Sequence, residues 1–234
     1  MCHGKAVAAF PTPTEPATFN DGVVGYHWAN PNAKSKIAIL PDIYGCNPFY
    51  RGLATRFANK GAEVFLVDTF AGFGELPEMT REAAFARRGK VADREFLDRF
   101  EKFVTANGIT GVIGFCLGGL YVFELARRGV QTALIGLYGF PQGLPNQDPL
   151  PIPFEYLHAV DTPFTMLLGA DDAAVGPDNI ERLQAMAPST DSMDLTVYEG
   201  VGHDFLPLLD SEDSGLRETA KDALAKCDAL LLAA

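Results

Sequence analysis

The chain has 234 residues, 47% of them hydrophobic and 21% charged, with a net charge of −11. That length suits one domain with a sizeable core, and the acidity speaks against nucleic acid or an anionic membrane as partner, both of which draw basic surfaces. No apolar run approaches the ~18 residues of a membrane span, and the N-terminal stretch lacks the apolar centre of a signal peptide.

Residues 1–20 carry prolines and little periodicity, and read as an extended lead-in. Val23 to Trp28 alternates weakly, as an edge strand does. A buried strand follows at 36–41. A helix over 49–60, with Leu53 and Phe57 on its apolar face, stops at Gly61. Another strand lies at 62–67. Residues 76–106 read as mostly helical, with Phe96, Phe100 and Phe103 spaced at i, i+4 and i+7. A strand at 110–115 runs into Cys116, and a helix at 117–128 leaves it. Then come a strand at 132–138, a proline-rich surface excursion at 140–161, a strand at 163–168, a helix at 177–187, a strand at 192–198 and a closing helix at 216–232. Strands alternating with helices predict a mostly parallel sheet with helices on both faces. No linker or repeat divides the chain, so residues 1–234 are expected to form one α/β domain without a large cap. In such a sheet functional groups gather at the C-terminal ends of the strands.

Four strand ends carry chemistry. Gly114-Phe-Cys-Leu-Gly-Gly119 places Cys116 between two glycines at a strand-to-helix bend, where hydrolases with Gly-x-Ser-x-Gly place a serine. A helix N-terminus and a nearby imidazole both favour the thiolate, which is the reactive form. Most cysteines are small buried hydrophobes, and that reading is kept for Cys46 and Cys227; the framing glycines turn it toward nucleophile for Cys116. The strand near 163–168 ends in Gly169-Ala-Asp-Asp-Ala-Ala-Val175, and the strand near 192–198 is followed by Gly202-His-Asp-Phe205. Nucleophile, acid, histidine is the chain order of the α/β-hydrolase triad. His203 is the expected general base and acid. Asp171 and Asp172 compete for orienting it, since only one of two neighbours can point at the ring; the spacing Gly169-x-x-Asp172-x-x-Val175 favours Asp172. Asp42 ends the first buried strand, as a loop cap or as an electrostatic neighbour of Cys116. The N–H groups of Ile43 and of Leu117 are the expected oxyanion donors.

These four segments, with Asp42-Ile-Tyr-Gly45 as the fourth, together resemble the dienelactone hydrolase family in matching order over nearly the whole chain. The opening Met-Cys-His is also similar to many members. The resemblance implies an α/β-hydrolase fold, a Cys116–His203–Asp172 triad and a thioester acyl-enzyme. It implies that the acidic residue at position 42 modulates the resting thiol; Asp42 stands where the best-known members carry Glu. It also implies substrate contacts near Tyr44, Arg81 and Phe85. Known members hold a substrate carboxylate with two arginines. Arg81 matches the first, and Pro207 stands where the second is expected. With half the charge missing, a pocket near Tyr44, Phe73, Phe85 and Phe140 is expected to favour less polar esters or lactones over dienelactone itself.

The expected protein is therefore a cytoplasmic hydrolase of small-molecule esters or lactones, monomeric or homodimeric. It has no cofactor and no metal, since no Cys-x-x-Cys pair occurs among Cys2, Cys46, Cys116 and Cys227. Turnover of other activated electrophiles such as phosphotriesters is compatible with the same nucleophile. Two competing readings remain: a glutamine amidotransferase, against which Leu120 and His203-Asp-Phe205 count, and a non-catalytic binding or redox-sensing module, which has no need of His203 and the aspartate.

Overall fold

The computed structural model describes residues 17–19 and 22–233. The expected lead-in and the Met-Cys-His opening, Cys2 included, thus lie largely outside the described residues. Eight strands form one sheet: β1 (Ala17–Thr18), β2 (Val24–Trp28), β3 (Lys36–Leu40), β4 (Glu63–Val67), β5 (Gly111–Phe115), β6 (Ala133–Leu137), β7 (Phe164–Gly169) and β8 (Met193–Tyr198). Their spatial order is β1-β2-β4-β3-β5-β6-β7-β8. β1 and β2 are antiparallel to their neighbours, and every pairing from β4 to β8 is parallel. The expected edge strand at 23–28 is β2, but it lies one place in from the edge, which β1 occupies.

β4, β5 and β7 are buried along their whole length because helices cover both faces. β5 reads Gly-Val-Ile-Gly-Phe and β4 Glu-Val-Phe-Leu-Val, with every residue buried. The helices are α1 (Pro48–Asn59), α2 (Arg81–Arg88), α3 (Asp93–Asn107), α4 (Leu117–Arg127), α5 (Pro153–Tyr156), α6 (Pro177–Met186) and α7 (Ser214–Leu231). Asn47 caps α1 by accepting from the N–H groups of Phe49 and Tyr50, and Pro48 supplies its first turn. Gly108, at φ 61°, ends α3 in the left-handed conformation that glycine allows.

The stretch expected as mostly helical over 76–106 is two helices. α2 ends at Gly89 and α3 begins at Asp93. A buried ion pair from Arg88 to Asp93 ties them together, and Tyr121 of α4 donates to Asp93 at 2.6 Å. Desolvation raises the Asp93 carboxyl above its ordinary range, with Arg88 and Tyr121 working in the opposite direction. Phe96, Phe100 and Phe103 line the buried face of α3. The connection between β6 and β7 holds only α5 and a 3₁₀ turn over Leu157–Ala159. No helix of the described residues is long and apolar enough to cross a membrane.

Candidate active site

Cys116 stands between β5 and α4 at φ 56° and ψ −104°. A non-glycine residue there is strained by ~1–3 kcal/mol and persists only where its surroundings over-determine it. They do so here. The Cys116 N–H donates to Leu137 O on β6 at 2.9 Å, and its carbonyl accepts from Leu120 N at 3.0 Å. The flanking glycines have a steric cause. A Cβ on Gly114 would lie 2.1 Å from Gly118 O, and one on Gly118 would lie 2.1 Å from Leu40 O. One on Gly119 would lie 2.7 Å from the Gly139 Cα. The bend is thus packed backbone against backbone, and α4 enters the core with its first turn aimed at the thiol.

β3 and β5 are paired with Leu40 opposite Gly114. Asp42 and Ile43 stand two and three residues past Leu40 in the chain, as Cys116 and Leu117 stand two and three past Gly114. Asp42 is buried, and its Oδ1 accepts from Tyr44 N at 2.8 Å. That bond makes the segment an Asx turn. Asp42 N donates to the Tyr50 hydroxyl at 3.3 Å. Leu117 opens α4, so its N–H has no partner within the helix.

The loops after β7 and β8 bring acid and imidazole together. Asp172 is fully buried, and its Oδ2 lies 2.8 Å from His203 Nδ1. Its Oδ1 accepts from the N–H groups of Ala174 and Val175, at 2.9 Å each. Asp171 is exposed, and its contribution is through the backbone: its N–H donates to Val201 O at 3.0 Å, fastening one loop to the other. Gly169 permits this approach, since a Cβ there would lie 2.2 Å from that same carbonyl. With a carboxylate oxygen as the acceptor, Nδ1 is the donor of this bond, and a neutral ring then carries its lone pair on Nε2.

The ring of His203 reaches back over the sheet. Its centroid lies 5.2 Å from that of Tyr138 and 5.3 Å from that of Phe140. Tyr138 directly follows Leu137, whose carbonyl holds Cys116. Tyr138, at φ 44°, is strained like Cys116, and no local sequence pattern announces this.

The expected substrate contacts fare unevenly. Tyr44 is buried beside Asp42, and Phe140 faces His203. Arg81 and Phe85 lie on the exposed side of α2, where the guanidinium sits 5.3 Å from the centre of the Phe85 ring. Phe73 is also exposed. The guanidinium that reaches the site loop is Arg87, whose Nη2 donates to Ile43 O at 3.1 Å. Cys46 and Cys227 fit the bland reading: burial pushes both thiols up, away from the reactive thiolate.

The sheet order and the strand-to-helix bend at Cys116 define an α/β-hydrolase fold. A crystal structure of a Klebsiella pneumoniae protein shares it, with a TM-score of 0.75 at 22% identity over 89% of this chain and 92% of that one. Within that class, the chain belongs to the dienelactone hydrolase family, whose sequence profile matches residues 23–233. It is 47% identical over 225 residues to Carboxymethylenebutenolidase 2 of Cupriavidus pinatubonensis, covering 96% of each chain. It is 33% identical over 219 residues to Carboxymethylenebutenolidase of Rhodococcus opacus, covering 88% of this chain and 86% of that one. The chain is an ester or lactone hydrolase, which removes the amidotransferase and non-catalytic readings.

Proposed function

We propose that the protein opens lactones and cleaves esters through Cys116, His203 and Asp172. The observation that carries this reading is the bond from His203 Nδ1 to the buried Asp172, formed by two loops that fold back toward the Cys116 bend. The first turn of α4 points its positive end at the sulfur and favours the thiolate. His203 Nε2 takes the thiol proton, and the sulfur attacks the acyl carbon. The carbonyl electron pair moves to oxygen, where the N–H groups of Ile43 and Leu117 receive the developing charge. As the tetrahedral intermediate collapses, the C–O bond breaks, and His203 returns its proton to the leaving alkoxide. With a lactone, that oxygen stays tethered to the acyl group. Water then adds to the thioester while His203 accepts its proton. The C–S bond breaks, and the carboxylic acid leaves.

Asp42 shapes the loop through Tyr44, and its buried carboxylate, just past the end of the strand paired with β5, modulates the resting thiol. Tyr138 and Phe140 give the imidazole an apolar wall, and position 207 offers no cation to the substrate. The names of the relatives support a carboxymethylenebutenolide as one substrate. The acidic chain and the thiol state of Cys46, Cys116 and Cys227 support a reducing cytoplasmic setting.

The test is intact-protein mass spectrometry during turnover of para-nitrophenyl acetate. An acetyl adduct on Cys116, and loss of turnover in Cys116→Ala, are the expected results. Undiminished turnover in Cys116→Ala would refute the assignment.

A further inference from the structure

We propose that Arg87 is a positioning residue for the oxyanion hole, a role that rests on the reading of Ile43 and Leu117 as its donors. The turn carrying Ile43 is fixed at both of its peptide groups. The Asp42–Ile43 peptide, which supplies the Ile43 N–H, is held at its carbonyl by Gly45 N at 3.0 Å. The next peptide is held at both ends: Ile43 O accepts from Arg87 Nη2 at 3.1 Å, and Tyr44 N donates to Asp42 Oδ1 at 2.8 Å. A peptide group is planar, so pinning both ends of one plane and the carbonyl of the plane before it leaves the Ile43 N–H a single direction. Arg87 is the only one of these partners that reaches the turn from outside it.

The guanidinium is itself built into place. Its Nη1 donates to Gly74 O at 3.3 Å, and its centre lies 4.1 Å from that of the Phe70 ring. Gly45, beside it, turns the loop at φ 76°, a left-handed conformation that glycine adopts without strain. The next residue, Arg88, is buried and paired with Asp93, which fixes the end of α2. Burial works against the charge of Arg87, while Asp68, Cys46 and Asp42 work for it. With donors committed to two backbone carbonyls, Arg87 joins the loops after β3 and β4 and leaves the substrate's acyl group to the N–H it orients.

The experiment compares two reactions of Cys116 in wild type, Arg87→Met and Arg87→Lys. Hydrolysis of para-nitrophenyl acetate passes through an oxyanion, whereas alkylation by iodoacetamide displaces iodide at carbon and forms none. Losing an oxyanion donor lowers kcat about 10²–10³-fold, so a loosened one should lower it about tenfold to a hundredfold in Arg87→Met. KM and the alkylation rate should stay within about twofold, since neither senses the hole. Arg87→Lys, which keeps one donor and the charge without the planar fork, should recover part of the loss; if Arg87→Met does not fold, Arg87→Lys is read against wild type alone. Unchanged hydrolysis, equal losses in hydrolysis and alkylation, or a loss confined to KM would each overturn the proposal. If wild-type Cys116 alkylates but never acylates, the underlying reading fails, and this one with it.

Discussion

Asp172 holds His203 with one carboxylate oxygen and its own loop with the other, through Ala174 and Val175. The acid is therefore oriented before it orients anything else. Asp172→Asn can present an N–H to Nδ1 and so favour the wrong tautomer. Its kcat is expected to fall by about 10⁴-fold, the size of this effect where an aspartate fixes an imidazole. Asp171→Asn keeps the backbone bond to Val201 and should stay within about twofold of wild type. Steady-state turnover of para-nitrophenyl acetate by the two variants checks this, and equal losses would refute the assignment of Asp172.

The bend at Cys116 makes a prediction about stability. In Gly118→Ala the new methyl group meets the backbone carbonyl of Leu40, the last residue of β3, which is paired on both sides by β4 and β5. A loss of about 3 kcal/mol or more is expected, at the upper end for overpacking. Gly89→Ala is the contrast. Gly89 has right-handed helical angles, and its nearest atom would be Phe85 O at an ordinary 3.5 Å. It should be neutral or gain about 0.5 kcal/mol through the unfolded chain. Urea midpoints of the two variants measure the difference, and a Gly118→Ala midpoint near wild type would show that the bend is looser than its packing implies.

Much of the site was legible because it is local. A strand, a bend and a helix occupy consecutive residues around Cys116, and Gly114 answers to the Gly118 carbonyl four residues on, although Gly118 and Gly119 meet the distant Leu40 and Gly139. Three features were not legible, each for a physical reason. Whether Asp171 or Asp172 faces the ring depends on how the turn after β7 rotates successive side chains, and spacing alone only favoured one. Arg81 drew the substrate role through family likeness, yet Ala84 and Arg88 form the buried stripe of α2, and Arg87 reaches the site from the flank of that stripe. Tyr138 owes its place to tertiary contacts with Phe115, His203 and Phe205, none of which is near it in sequence.

Asp228 on α7 gives a pH dependence with a definite sign. Partial burial works to raise its carboxyl, but hydrogen bonds from Arg56 and Lys60, at 2.6 Å each, outweigh it and hold it below its ordinary range. A carboxyl lowered on folding adds stability above its unfolded pKa, and that stability is lost as pH falls through the folded value. Because the group is partly exposed, the contribution at pH 7 is about 1 kcal/mol or less. Asp228→Asn should therefore be less stable than wild type at pH 7, and the gap should shrink below pH ~4. Denaturation curves at the two pH values check it; a gap that widens in acid would contradict the sign.

The last prediction concerns the charge of the substrate. The relatives' names point to a lactone bearing a carboxylate, while this chain offers Pro207 and an exposed Arg81 where a two-arginine clamp would be. Arg87, the guanidinium nearest the site loop, is committed to Ile43 O and Gly74 O. A carboxylate on the substrate thus gains at most one solvent-exposed partner, and exposed pairs contribute only about 0–1 kcal/mol. The methyl ester of the exocyclic carboxylate keeps the same lactone ring and removes the charge. Its kcat/KM for ring opening should equal or exceed that of the free acid, because Tyr138 and Phe140 present apolar surface beside His203 and desolvating a carboxylate there is costly. Ring opening followed by ultraviolet absorbance on both compounds, with Arg81→Ala as a third arm, measures this. Arg81→Ala should change the ratio by less than about fivefold. A free acid preferred by tenfold or more, with that preference lost in Arg81→Ala, would mean that Arg81 swings in from the Phe85 ring to hold the anion, and that the pocket is selective for charge after all.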